Sequence, residues 1–349
     1  MATEPATETT LQGPAAWEEQ AEKEHVHGLG PWRLGLRRLR RNRIALLFGL
    51  LFILLVAVCA AAPLWADHVA KTGPSTGHLS ETIRVGGETK NVVGLDGVPI
   101  GPQYFKADGR YFLGADGNGR DIMVRLLYGG RNSLFIGLTA AFITVLLSIV
   151  LGVVAGYFRG STDALIRTLL DIMWSFPVII LGTALGVALA LGGLKIGPLE
   201  IPGDSLAIPI LIIGLVYVPY MARPVRGQVL SLREKEFVEA ARAQGAGPVR
   251  IMFTEVLPNL SSTLLVFFTL LIANAVLLEA ALSFLGAGVQ PPNPSWGTMI
   301  DEGVDRVATA PHLAIVPGAM LVLTVLSLNV FGDGVRDALD PRAKVRLER

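Results

Sequence analysis

Six stretches of this chain contain no Asp, Glu, Lys or Arg: 44–66, 132–158, 172–194, 205–222, 256–278 and 307–332. A helix needs about 20 apolar residues to cross the roughly 30 Å hydrocarbon layer of a bilayer, so each stretch predicts a transmembrane helix. The fourth is the shortest. A buried core helix in a soluble protein rarely sustains more than about 14 such residues, and that reading is set aside. A further uncharged run after Glu279 holds "VQPPNPSW", whose prolines argue against a seventh span. The pattern predicts an all-α membrane protein with six transmembrane helices.

Between the fourth and fifth stretches the pattern changes. "SLREKEFVEAARAQGAGPVRIMFTEVLPN" is charged and rich in helix formers, with a Gly-Ala-Gly-Pro break. Ser231 and Glu234 have capping-box spacing, predicting a helix through Gln244. Pro248 suits the first turn of the next helix. The expected result is helix, tight turn, helix, with small residues Ala240, Ala241 and Gly245 at the elbow. Small residues permit close approach by another surface. A docking element is the better reading than an amphipathic connection on the membrane, since a mere linker is usually shorter.

Composition agrees with the membrane reading: 51% of residues are apolar and 17% charged, unlike a soluble domain of this length. The formal net charge of +1 averages segments of opposite character. Arg33, Arg37, Arg38, Arg40, Arg41 and Arg43 precede the first span, and such clusters stay cytoplasmic. Six spans then place both termini and 223–255 inside and 67–131 outside. Residues 1–31 read as a disordered cytoplasmic lead, 32–66 as the basic segment with the first helix, and 67–131 as an extracytoplasmic segment. A core from 132 to 335 follows, with its loop at 223–259, then a cytoplasmic tail from 336 to 349. The polar lead is too long for a signal peptide's basic leader, so the first apolar run reads as an anchor. Cys59, inside it, is the only cysteine, which excludes an intrachain disulfide.

Within the spans, "GVVAG" (Gly152, Gly156) and "GTALG" (Gly182, Gly186) have the small-xxx-small spacing of close helix packing. Arg167 and Asp171, four residues apart, have the spacing of an ion pair. Glu279 is a polar group inside the fifth span. Intramembrane charge suggests a proton or ion relay, but structural pairing near helix ends is the preferred reading for all three. The chain has no phosphate-cradling G-x-x-x-x-G-K-[ST] loop and no H-E-x-x-H. "GADGNGRD" lacks the ligand spacing of a calcium loop. No catalytic residue, metal site or cofactor is expected in this chain, and no nucleic acid among its partners.

"EAARAQG" followed by "VLPN" resembles the EAA loop of permease subunits in binding-protein-dependent ABC importers. Glu239, Ala240, Ala241, Gly245, Leu257 and Pro258 fit its pattern; Glu255 stands where that family often has Ile. "FLGADGNGRDIMVRLLYGGRNSL" resembles the signature preceding the second span of dipeptide and oligopeptide permeases, with Ala115 and Val124 replacing the usual Thr and Ser. "RTLLDIMWSFP", "EAALSFLGAGVQPPNPSWG" and "FGDGVRDALDPR" resemble the C-type subunit of that subfamily.

The resemblance implies a type I ABC importer (MetI-like) permease fold, with one N-terminal helix and a five-helix core. It also implies a second homologous permease, two ATP-binding subunits that carry the ATP and Mg, and an external solute-binding protein. The elbow would be the coupling helix docked on an ATP-binding subunit, in a bacterial or archaeal plasma membrane. Peptides are the implied cargo. The same machinery serving nickel chelates, glutathione or glycosides is the rival within the family, and a stand-alone secondary carrier the rival from another class.

Overall fold

The computed structural model describes residues 31–85, 88–104 and 109–339. The expected lead, apart from Pro31, and the tail beyond Leu339 lie outside the described residues. Four helices are long and apolar enough to cross a membrane: α2 (Arg43–Ala60), α3 (Ile122–Phe158), α9 (Pro248–Phe284) and α11 (His312–Leu339). A short basic helix, α1 (Pro31–Arg41), precedes them. Asn42 separates α1 from α2 and caps α2, its side chain accepting from the Ala45 N–H at 3.1 Å.

Two expected spans are bent pairs. The stretch 172–194 does not form one straight helix: α4 (Gly160–Trp174) and α5 (Val178–Gly192) meet at 84°. Pro177 offers no N–H and drives Phe176 away from helical geometry, so the ladder breaks there. Likewise α6 (Ala207–Val216) and α7 (Val218–Leu232) meet at 41°, where Pro219 interrupts the ladder. The described residues therefore give four single-helix candidate spans, or up to six if each bent pair counts as one. The chain is also not purely helical. Antiparallel pairs β1–β2 (Thr82–Val85, Glu88–Asn91) and β3–β4 (Leu194–Ile196, Leu199–Ile201) form two small hairpins.

Both small-residue stripes lie at helix contacts. A Cβ on Gly152 would fall 2.9 Å from the Ala222 carbonyl oxygen, and one on Gly156 at 2.9 Å from that of Arg226. Backbone cannot yield as a side-chain tip can, so α3 and α7 pack closely only because these positions lack a side chain. Gly186 makes the same kind of approach to the carbonyl of Ala287, whereas Gly182 meets only the Leu282 side chain, at 3.1 Å. Gly156→Val is expected to cost about 1–3 kcal/mol through overpacking. A lowered thermal midpoint of the purified protein checks this; an unchanged midpoint means the helices are free to separate there.

The N-terminal ten residues of α3 stand beyond its uncharged stretch. Asp121 caps the helix, accepting from the Val124 N–H at 3.1 Å and from the Tyr111 N–H at 2.6 Å. Burial raises the Asp121 carboxyl, against the pull of these backbone donors. Nearby, Glu81 receives both terminal nitrogens of Arg110, at 2.7 and 2.8 Å, and the Tyr111 hydroxyl at 2.9 Å. Burial alone would raise Glu81, but these donors outweigh it and hold its carboxyl below the ordinary value. A depressed folded pKa contributes stability above the unfolded value and loses it as pH falls through the folded value. Hydrogen-exchange protection of the Glu81 and Val92 amides, which pair with the His78 and Glu81 carbonyls, is therefore expected to persist at neutral pH and fall only below the usual glutamate range. Loss of protection already near neutral pH would contradict this.

Candidate functional site: the elbow between α7 and α9

Helix α8 (Glu236–Ala243) links α7 to α9. Ser231 is not its cap, because α7 continues to Leu232 and Lys235 takes the cap position without a side-chain hydrogen bond. Glu236 and Glu239 in the first turn and Arg242 in the last complement the helix dipole. The C-terminus is closed by backbone alone. The Ala246 N–H donates to the Ala241 carbonyl at 3.0 Å and the Gly245 N–H to that of Arg242 at 2.9 Å. This is a Schellman motif, and it places Gly245 at φ +84°, where L side chains are strained. Gly247 then leads into Pro248, the first residue of α9.

One face of the elbow is anchored. Val238 is wholly buried in a cluster with Tyr157, Val225, Val229, Ile251 and Val256, and Ala241 and Ala246 pack against it partly buried. The opposite face, with Glu236, Phe237, Glu239, Ala240, Ala243 and Val249, is exposed. Arg233 secures the approach, donating to the Tyr157 carbonyl at 2.6 Å, and Arg159 pairs with Glu234. The elbow is thus a rigid corner with one packed and one bare face.

Glu239, Ala240, Ala241 and Gly245 come together at this corner. Leu257 and Pro258 do not. They lie about ten residues up α9, or about 15 Å at 1.5 Å per residue. Leu257 instead lines an apolar groove of about 340 Å3 with Leu146, Val150, Val153, Met252 and Phe253. Just before them, Met252–Val256 forms a wide helical turn. Pro258 has no N–H for the Thr254 carbonyl, which accounts for the loosened ladder.

The expected Arg167–Asp171 pair is not formed. Asp171 accepts instead from Arg223 of α7 at 2.8 Å, and the Arg223 guanidinium lies 5.2 Å over the Trp174 ring. Arg226 binds Asp163 through two nitrogens, the Nη2 contact being 2.7 Å. The acids of α4 thus strap it to α7, the helix that leads into the elbow. Spacing within one helix suggested Arg167; a cation on a neighbouring helix sits closer.

Glu279 is fully buried. Ser283 Oγ donates to its Oε1 at 2.7 Å and accepts from the Val289 N–H at 2.9 Å, tying the carboxyl to the loop after α9. The loop continues into α10 (Trp296–Val304), where the Trp296 N–H reaches Ser133 Oγ at 3.2 Å and its Nε1–H the Leu126 carbonyl at 3.1 Å. The other oxygen, Oε2, is buried with no hydrogen-bond partner among the described residues, and the carboxyl lies near the end of α9 opposite the elbow.

Sequence reasoning missed an ionic cluster at the N-terminal end of α3. Arg125 is only 2% exposed, with Nη2 at 2.8 Å from Glu302 and Nε at 3.4 Å from Asp116. Arg120 joins the same two carboxylates at 2.8 and 2.6 Å. Its signal is present in "GRDIMVR", where Arg120 and Arg125 stand either side of the start of α3 beside Asp121.

The family described as the binding-protein-dependent transport system inner membrane component matches residues 148–345, spanning the elbow and α4 to α11. This chain belongs to that family. Residues 30–76 match the N-terminal TM domain of oligopeptide transport permease C. The permease is 34% identical over 314 residues to the glutathione transport system permease protein GsiD of Pectobacterium atrosepticum, covering 90% of this chain and 92% of that one. It is 35% identical over 323 residues to the dipeptide transport system permease protein DppC of Alkalihalophilus pseudofirmus, covering 92% and 93%. Its fold is similar to a chain of the MetNI methionine ABC transporter in an inward-facing crystal form. The TM-score there is 0.51 at 21% identity, covering 63% of this permease and 98% of that chain. The permease is a multi-pass membrane subunit of an ABC importer and is not catalytic alone.

Proposed function

We propose that this permease forms half of the translocation pathway for short peptides, and that its elbow couples the pathway to ATP hydrolysis. The observation that carries the reading is the corner at α8, packed on one side through Val238 and bare on the other. An ATP-binding subunit would seat Glu239, Ala240 and Gly245, with ATP and Mg held by that subunit and its mate. A second permease would supply the other half, and an extracytoplasmic solute-binding protein would deliver the cargo. Each bent pair counts as one span in this reading, which gives six spans with both termini cytoplasmic. The domain division is that of the sequence: a lead to 31, a first helix to 66, an outer segment to 131, a core to 335 and a tail. The relatives named for dipeptides and for glutathione, itself a peptide, support a short-peptide cargo.

The test is to tag the permease, solubilise host membranes in a mild detergent and identify what copurifies. A second permease and ATP-binding subunits in stoichiometric amounts are expected. The permease alone, repeatedly, would remove the coupling role and reopen a stand-alone carrier. Such a carrier would use Glu279, so Glu279→Gln separates the two. Import is expected to be insensitive to the proton gradient in both parent and variant. Gradient dependence in the parent that vanishes in the variant would restore the relay.

A further inference from the structure

Helix α1 divides its residues cleanly. Trp32, Gly35, Leu36 and Leu39 recur at helical spacing on one face, and Arg33, Arg37, Arg40 and Arg41 on another. The apolar face packs on the end of α11 and leaves a groove between itself and α9. A Cβ on Gly35 would fall 2.7 Å from the Leu339 side chain, so the helices touch there. Beside that contact runs a groove of about 200 Å3, lined by Trp32, Leu36, Leu39, Leu265, Phe331 and Val335 and almost wholly apolar. Trp32 and Leu36 remain about half exposed. Arg33, Arg37, Arg40, Arg41 and Arg43 are exposed, and none of them has an acidic partner among the described residues.

We propose that this face is a binding site for an anionic phospholipid, with an acyl chain in the α1–α9–α11 groove and the phosphate on the α1 arginines. An orientation signal requires only positive charge near the span. It does not require an amphipathic helix, a groove beneath it or a tryptophan at its edge, and those features together fit a helix lying in the interface. Each arginine near an anionic surface adds to the attraction, and an acyl chain adds apolar burial that a free phosphate lacks. The position fits. Leu265 and Pro248 lie 17 residues, about 25 Å, apart along α9, so a lipid in the groove and a partner on the elbow do not compete for one surface. The proposal needs only that the chain spans a membrane, and survives even if the coupling role of the elbow fails.

The test uses the full chain in its purified complex, titrated in detergent with phosphatidylglycerol or phosphatidylcholine and read by native mass spectrometry. Phosphatidylglycerol is expected to stay bound under conditions that strip phosphatidylcholine. The combined variant Arg37→Gln, Arg40→Gln, Arg41→Gln keeps Arg33, Arg38 and Arg43 for orientation and is expected to weaken retention about tenfold or more. The Lys variant of the same three is expected to retain the lipid. Leu265→Trp, which fills the groove and leaves every arginine, is expected to displace it. Equal retention of both lipids, or retention unaffected by either kind of variant, would overturn the site. Loss of lipid together with crosslinks from glutamates of residues 1–30 to α1 would assign the arginines to the chain's own acidic lead instead.

Discussion

Gly245→Val is expected to reduce uptake to background while the protein remains in the membrane and the complex continues to hydrolyse ATP. Nothing lies within 4 Å of a Cβ built on Gly245, so the substitution does not fail by collision. It fails through the backbone. At φ +84° an L residue costs about 1–2 kcal/mol, and a β-branched one is harder still to accommodate. Relief of that strain unwinds the Schellman turn and lets α8 swing relative to α9. Gly247 supplies an internal control: its Cβ would also meet nothing, but its φ of −70° suits any residue. Gly247→Ala is expected to keep uptake near the parent level, and Gly245→Asn to recover part of it, since Asn tolerates the left-handed region. Equal effects of Gly245→Ala and Gly247→Ala would show that bulk at the surface matters and backbone geometry does not.

Arg125→Met is expected to act on stability. Arg125 lies between Asp116 and Glu302 with almost no access to water. Removing one partner of a buried pair costs about 3–5 kcal/mol, because carboxylates remain without their cation. Here Arg120 still reaches both acids and the Glu302 side chain is 40% exposed, so the expected loss falls below that range, about 1–2 kcal/mol. The thermal midpoint of the purified complex measures it, with transport per surviving molecule little changed. Arg125→Lys is expected to restore only part, since a single ammonium cannot copy the two-nitrogen geometry. A variant with the parent midpoint would show that the cluster contributes no net stability.

What the sequence made legible follows from which physics is local. The apolar runs announced the spans because burial in lipid is read residue by residue, and glycine with proline announced the turn at 245–248. The bends were harder. Pro177 and Pro219 were visible, but their angles depend on the helices packed around them. The expected start of α8 also moved, since Ser231 had the right spacing but α7 ran on past it to Leu232. Pairings were least legible: Asp171 found Arg223 and Asp163 found Arg226, each across more than 50 residues of chain. The groove under α1 could not be read at all, because it joins residues from three helices.

The elbow's bare face is the central claim, and a crosslink tests it directly. Cys59 is the only cysteine, so Cys59→Ser gives a background in which Ala240→Cys carries a single exposed thiol. In whole membranes, a short thiol-to-amine reagent is expected to join position 240 to an ATP-binding subunit, with a yield that changes when ATP is bound and hydrolysed. The same reagent at exposed Ser75→Cys, in the segment between α2 and α3 proposed to lie on the opposite side of the membrane, is expected to join none. An elbow thiol that labels freely yet never crosslinks in membranes still importing substrate would contradict the account.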